Sequence, residues 1–587
     1  MKKIIIPALS LVFLLSGCKG FLETDNIYNK DLDTFYSTPD EMEFAVAGLY
    51  LPLYSGDMKS DEAIVANVFD DIMLGGGGSG GETTTYMDAF TANGVDYHAE
   101  LWTDTYDGVY RANAIIERIQ AEDFDLSLYY DTEAEYEEFI AQTLGEAYFM
   151  RAYYMFRAVR NFGGVPIIET TTSDRTVGRS TVDETYQKVI SDFKLAIDAF
   201  PNKAATAYAS TEYGHANRWI AEAYIARAFL YYTGYMTNVE GVSTSSATLN
   251  EEAGGATLSS SDIVTYLEDC MNNSGYALIS DFRNLWAASH INYVSSAYGD
   301  AAGDNKLPWA KTNNLQWAGQ DGFTSSMAGV TGNSEVMFSI RYAFGNWNYD
   351  SGQQYTNRVC LYFGPRDNNL EPFYKGWGMG TVHPKLYTDW SDDDPRKEGS
   401  ILVAGDAENG MDGFEVQPCT QHTGYWNKKY QSYMINGTAY GSVGIFAYIY
   451  DTGSSYDYQL WHAQDFVLMR YADVLLMHSE LTSTADGLNA VRSRSGLESV
   501  SYSLDALKTE RLHELAFEAL RWYDIVRWGD VTNNSSSLYY GKEAAVQTDG
   551  LETVYTMTPN ATQKGLWPIP ETEIALSGGA YDQNPGW

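Results

Sequence analysis

Apolar positions recur at three- and four-residue spacing toward both ends of the chain and lose that spacing in between. Thr38-Pro39-Asp40-Glu41 reads as a capping box with Pro at the first helical position, and Met42, Val46, Leu49 and Leu53 follow as one face of a helix. A second helix is predicted from about Ala99 to Ile119, striped by Trp102, Tyr106, Val109, Asn113 and Ile116. A third stops at Gly163-Gly164 before Pro166, and its stripe of Leu144, Tyr148, Arg151, Met155 and Phe162 carries one cation on an apolar face. Thr181 with Glu184 caps a fourth; a fifth covers about Asn217 to Thr233 and a sixth about Ser261 to Asn273. Near the other end Phe466 to Leu481, Ala485 to Ser495 and Leu504 to Trp528 read as helices. Helices joined in pairs by short loops predict a mainly α fold, a tetratricopeptide-like α-solenoid, although no strict repeat of roughly 34 residues aligns.

Residues 281–461 break the pattern. Eight of the 14 Trp fall there, at positions 286, 309, 317, 347, 377, 390, 426 and 461, among many Gly, Asn and Tyr. This composition predicts a large irregular, loop-rich and aromatic-rich insertion, with most of these Trp in the core of a subdomain and two or three exposed. The expected organisation is a leader at 1–17, a helical scaffold at 18–280, a variable ligand-binding region at 281–461, and C-terminal helices with a closing segment at 462–587.

Charge narrows the ligand. The chain carries 38 Lys and Arg against 78 Asp and Glu, a net −40, with a sequence pI near 4.4. Such a field repels polyphosphate, so nucleic acid is excluded, and neutral molecules, cations and proteins remain. Tyr alone, at 46, outnumbers Lys and Arg together, and the flat faces of Tyr and Trp suit sugar rings and interfaces.

Lys2 and Lys3, the apolar stretch Ile4 to Leu15, and small Ser16 and Gly17 have the layout of an export signal too short to span a bilayer. It runs into Leu15-Ser16-Gly17-Cys18, which looks like a bacterial lipobox, so Cys18 is the expected lipidation site and membrane attachment is expected through lipid. Cys270, Cys360 and Cys419 are too few and too scattered for a disulfide framework or a zinc site and are expected as buried or single free thiols.

Enzyme motifs fail on context. Gly77-Gly78-Ser79-Gly80-Gly81 satisfies GxSxG formally but sits in a glycine run without the helix start of a nucleophile elbow, and reads as a flexible loop. His513-Glu514 lacks the second His of a metalloprotease motif, and no P-loop or EF-hand loop occurs. Asp392-Asp393-Asp394-Pro395-Arg396 reads as a solvated turn or a partner for Arg396, with no metal assigned. Arg470 and Asp473, three apart, are placed to pair, and Glu510, Arg511, Glu514, Glu518 and Arg521 fall at i, i+4 spacings that favour ion pairs along a helix, on a solvated or interhelical face. No catalytic residue and no cofactor are assigned.

Gly145-Glu146-Ala147-Tyr148-Phe149-Met150-Arg151-Ala152-Tyr153-Tyr154, running on to Asn161-Phe162-Gly163-Gly164-Val165-Pro166, resembles the hallmark segment of the RagB/SusD family of Bacteroidetes outer-membrane lipoproteins. Further segments are similar in family order: Arg179 to Tyr186, Asn333 to Ile340, Phe466 to Leu476, Leu488 to Arg492, Glu510 to Glu518 with Arg521-Trp522-Tyr523-Asp524, Leu566 to Pro570, and Gln583-Asn584-Pro585-Gly586. The resemblance implies a lipid-anchored outer-membrane protein at the cell surface that captures a neutral oligosaccharide or polysaccharide, starch-like or fructan-like, for import through a TonB-dependent β-barrel transporter. Two other readings stand beside it, a glycoside hydrolase and a helical-repeat scaffold that binds only protein.

The family's shared motifs do not include its sugar contacts, so candidate ligand residues rest on chemistry: an apolar face for the ring and planar polar partners for its hydroxyls. Those types converge at Asp70 and Asp71, which lead into the glycine run, and at Tyr293, Trp309, Trp317 and Arg366 in the Trp-rich middle.

Overall fold

The computed structural model describes residues 35–587 apart from 55–61, 79–82, 92–97, 175, 209–211, 290–306, 321–331, 344–355, 367–372, 374–375, 410, 412–418, 432–433, 438–440, 445, 447–461 and 534–536. The 1–17 leader, Cys18 and Tyr293 lie outside the described residues.

Helices dominate the N-terminal part: α1 (Pro39–Leu49), α2 (Glu62–Phe69), α3 (Thr83–Asp88), α4 (Ala99–Gln120), α5 (Glu133–Phe162), α6 (Val182–Ala199), α7 (Arg218–Asn238) and α8 (Ser260–Asn273). From α4 to α8 each helix packs on the next, the nearest-neighbour stacking of a helical repeat. The caps act much as predicted. Thr181 and Glu184 exchange side-chain bonds with each other's backbone N–H at 3.1 and 2.9 Å, and Thr132 with Glu135 does the same at the head of α5. At α1 the Thr38 hydroxyl accepts the Glu41 N–H, but the Glu41 carboxylate reaches one residue further back, to the Ser37 N–H at 2.8 Å. The last four turns of α5 are buried on every side between α4, α6 and α7. Arg151 sits in that apolar stripe because Asp192 of α6 receives its guanidinium bidentately at 2.7 and 2.8 Å.

The middle is built from short pieces: α9 (Pro308–Thr312), α10 (Val359–Tyr362), α11 (Pro384–Asp389) and α12 (Pro395–Ser400). The described strands form six two-stranded antiparallel ribbons. They are β1 (Met73–Gly76) with β5 (Met379–Val382), β2 (Ser246–Thr248) with β3 (Thr257–Ser259), and β4 (Val336–Ile340) with β10 (Phe466–Arg470). The others are β6 (Ile401–Val403) with β7 (Tyr425–Asn427), β8 (Met434–Gly437) with β9 (Gly441–Gly444), and β11 (Glu543–Thr548) with β12 (Leu551–Thr556). A second apolar core fills this part, with Trp309, Trp317, Trp426, Leu402 and Phe446 among its residues. Trp286, Trp309, Trp317, Trp390 and Trp426 are buried and Trp377 is half-buried, while Trp347 and Trp461 lie outside the described residues.

The C-terminal helices are α13 (Tyr471–Thr482), α14 (Asp486–Arg494), α15 (Leu504–Leu515) and α16 (Arg521–Arg527). Two expectations are corrected here. Phe466 to Arg470 is a strand, because an unbroken apolar run without helical period pairs with β4 and the helix starts only at Tyr471. Leu504 to Trp528 is not one helix: the chain turns between α15 and α16 with Phe517 and Ala519 at positive φ, 67° and 57°.

The charged residues of this part face inward and pair across elements rather than along one helix, which corrects the i, i+4 reading. Arg470 contacts Glu335, Glu514 and Glu518 at 2.6, 2.9 and 2.8 Å. Arg396 contacts Glu510 and Glu514, and Arg494 contacts Glu335 and Glu514. Lys429 reaches Glu518 at 2.7 Å. Asp473 is turned away from Arg470 and takes Arg227 of α7 and Arg511 of α15 at 2.6 and 2.5 Å. Burial opposes ionisation of Glu514, yet the surrounding arginines, Arg494 foremost, override it and hold its carboxyl far below the usual range. Asp394 caps α12 and pairs with Arg396 at 2.8 Å, so the acidic run before Pro395 is the partner for Arg396. Cys270, Cys360 and Cys419 are buried thiols that form no disulfide among the described residues.

The chain end returns to the centre. The Asn584 amide donates to the carbonyls of Phe162 and Trp567 at 2.9 and 2.7 Å and accepts from Arg179 at 2.7 Å, while the Trp587 indole donates to the Leu566 carbonyl.

Candidate functional site

The glycine run starts as structure. Asp70 turns the chain out of α2 by accepting the N–H groups of Ile72 and Met73, both at 2.9 Å, and β1 then pairs with β5. A Cβ on Gly75 would stand 2.6 Å from the Thr84 carbonyl, and one on Gly76, at φ 65°, would stand 2.5 Å from the Gly378 carbonyl. Glycine is required there for close approach; of the segment Gly77 to Gly81 read as a flexible loop, Gly77 and Gly78 are held by the hydrogen bonds that follow, and residues 79–81 lie outside the described residues. Gly77 donates to Gly378 at 2.8 Å and accepts from the Thr420 N–H at 3.0 Å, and the Thr420 hydroxyl donates to Gly78 at 2.8 Å. Behind them the Gln421 side chain accepts from Gly76 at 2.9 Å and donates to Asp88 at 3.1 Å, and Asp88 also takes the Gly75 N–H. Burial pushes the Asp88 carboxyl up to about 7.

On the far side of β5's start, Arg366 is exposed and donates to the Trp377 carbonyl at 3.2 Å. Its Cβ lies 2.9 Å from where a Gly378 side chain would begin, so the guanidinium is carried beside the glycine strand. Burial pushes the Cys419 thiol up to about 11, against the opposing pull of the Arg366 charge. Trp377 packs at 52° against Tyr362, ring centroids 5.0 Å apart. The glycine backbone is buried beneath this part of the molecule, and above it an exposed guanidinium lies next to a half-buried indole, which together offer a partly apolar ring face and hydrogen-bond donors.

The other sequence candidates are placed elsewhere. Asp71 is fully buried, gripped by Arg521 at 2.7 and 2.8 Å and by the Ser537 hydroxyl at 2.7 Å. Burial would raise its carboxyl, but Arg521 overrides this and holds it below the usual range. Asp70 is buried beside it, and burial together with the Asp71 charge pushes its carboxyl well up. Trp309 donates to Glu398 at 3.1 Å and lies under the Lys428 ammonium, 3.2 Å from ring centre to Nζ. Trp317 packs edge-on to Phe446. These four side chains are buried where exposed ones were expected: Arg521 and Ser537 hold Asp71 inward, the Ile72 and Met73 N–H groups hold Asp70, and the second core takes both indoles. Arg366 alone of the described candidates reaches the surface. Trp377, Thr420 and Gln421 are brought to the site without having been singled out for it; the signal for Trp377 was a Trp flanked directly by Gly376 and Gly378.

Residues 21–230 match a family model described as starch-binding and associating with the outer membrane, and residues 323–587 match the SusD family model. The chain belongs to the SusD/RagB family. SusD-like protein P2 of Formosa agariphila is 23% identical over 618 aligned positions covering all of both chains, and SusD-like protein P38 of the same organism is 23% identical over 90% of this chain and 91% of that one. Among solved structures, a laminarin-binding SusD-like protein superposes with a TM-score of 0.65 at 22% identity, over 93% of this chain and 99% of that one. Surface glycan-binding protein A from Bacteroides thetaiotaomicron, solved with laminarihexaose, gives 0.65 at 20% identity, over 93% and 100%. Of these SusD-like relatives, those whose descriptions state an activity state binding. The shared fold is mainly α.

Proposed function

We propose that this SusD-like chain is a non-catalytic glycan-binding lipoprotein of the outer-membrane surface. Cys18 is its lipid anchor, and it captures a neutral oligosaccharide or polysaccharide and passes it to a TonB-dependent β-barrel transporter. The observation that carries the binding reading is the exposed Arg366 beside the half-buried Trp377, a pairing that can hold a sugar ring by its C–H face and its hydroxyls at once. The described laminarin and laminarihexaose binders of the same fold support a glucan as the first ligand class, alongside the starch-like and fructan-like alternatives. The net charge of −40 favours an uncharged glycan. No helix among the described residues is long and apolar enough to cross a membrane, which fits attachment by lipid.

Affinity gels containing laminarin, soluble starch or inulin test the reading. Retardation in at least one, with no new reducing ends released, is the expected result; free migration in all three, or turnover of the polymer, overturns it. Cys18→Ala should release the protein from the outer-membrane fraction and abolish lipid labelling. Gentle detergent extraction should recover the wild type together with a β-barrel partner.

A further inference from the structure

The strand that borders the candidate site has a second face. At residue 422 it pairs with the free edge of β11, where His422 and Gln547 exchange N–H···O bonds of 2.8 and 2.7 Å. At Gly424, with φ 84°, the chain swings away to pair with β6, and the Ala404 N–H donates to the Gly424 carbonyl at 2.9 Å. The two strands diverge and leave a groove of about 460 Å³ between the Ala404–Gly424 corner and the β11–β12 hairpin. That volume lies within the roughly 300–1,000 Å³ of small-molecule sites.

Its chemistry is specific. Gln547 spends both backbone groups on His422, so the alternation of an antiparallel ladder turns the N–H and C=O of Ala545 to the same edge, into the groove. Ala545, Gln547, Glu552 and Val554 share one face of the hairpin, which brings a carboxylate, an amide and an apolar wall to the groove, and Ala404, Thr423 and Gly424 close its corner. Lys and Arg are absent from its described lining, and burial holds the His422 imidazole down at about 4, hence neutral. A site with one carboxylate and no cation rejects anionic sugars and suits hydroxyl-rich neutral ones. Thr420 at the first site and Thr423 at the groove are three residues apart, at most about 11 Å of chain.

We propose that the groove between β11 and the Ala404–Gly424 corner is a second glycan subsite, which receives the continuation of the neutral chain held at Arg366 and Trp377. The inference rests on the glycan-binding reading and adds a consequence to it: two linked contacts favour polymer over short oligosaccharide through effective concentration.

The test uses the full-length protein with whichever of laminarin or soluble starch the wild type retains, and with the matching trisaccharide, in titration calorimetry. Ala404→Trp fills the groove, and Val554→Trp does so from an exposed strand position on the same face as Glu552. Supporting results are a drop of tenfold or more in polymer affinity for a variant whose melting temperature is unchanged, with trisaccharide affinity within twofold of wild type. Equal polymer affinity in the folded variants overturns the subsite while leaving the glycan-binding reading intact. A wild type that binds neither polymer nor trisaccharide overturns both.

Discussion

Two arginines separate the molecule into its two kinds of region. Arg470 is buried and meets three glutamates within 2.9 Å, its position set from every direction by β4, α15 and the turn after it. Arg366 is exposed and, among the described residues, donates one hydrogen bond, to a neighbouring carbonyl. The same side chain is a structural weld in one place and an offered hydrogen-bonding surface in the other, and what decides is whether the partners come from the protein. Removing a partner inside leaves a charge in low dielectric, whereas removing the outer arginine leaves the fold alone.

The sharpest way to break this contrast is Glu514→Gln. It strips the shared partner from Arg396, Arg470 and Arg494, and urea unfolding should show a loss of about 3–5 kcal/mol. Asp88 tests the boundary between the regions, since it is a buried acid that holds the glycine strand. Its carboxyl titrates near 7 in the fold against about 3.9 in the unfolded chain, so the fold keeps a proton that the unfolded chain has lost. Stability from this group is complete below pH 4 and falls as pH rises to 7, by about 2–4 kcal/mol, and Asp88→Asn should flatten that slope in melts taken across the range. On the outer side, Trp377→Ala and Arg366→Ala should each weaken glycan binding by about 1–3 kcal/mol, by analogy with base stacking on aromatic platforms, with unfolding midpoints close to wild type. Thr181→Ala, which removes a surface cap and nothing else, should cost about 1 kcal/mol in the same unfolding assay and leave binding unchanged.

What the sequence disclosed follows the same division. Helix starts were legible because Thr181 and Glu184 carry their own local signal, and the extent of α4 and the end of α5 followed from periodicity and a terminal glycine, whereas the start of α5 at Glu133 was not read. The β10 strand was not, because its conformation depends on β4, which lies more than a hundred residues earlier. Phe517 and Ala519 carry no local mark of positive φ; the turn is held by contacts such as the Asn67 side chain accepting the Ala519 N–H. Asp71 and Trp309 were misread as surface for one reason: their partners, Arg521 and Lys428, come from distant segments and are invisible to spacing arguments. Trp377 was legible only as a Trp between two glycines, a pattern that marks close backbone approach rather than a ligand.

The lock made by Asn584 has a consequence for the order in which the protein is made. Its amide closes on the end of α5, a segment that leaves the ribosome more than four hundred residues earlier. Asn67 and Asp71 wait likewise for Ala519 and Arg521. The first third of the chain therefore emerges with donors and acceptors whose partners do not yet exist, and such high sequence separation slows folding. A polypeptide built this way stays incomplete, and hence threadable, until its last residues appear. That delay suits a protein expected to cross a membrane before it folds, and it predicts that chains ending before residue 583 accumulate as protease-sensitive intermediates.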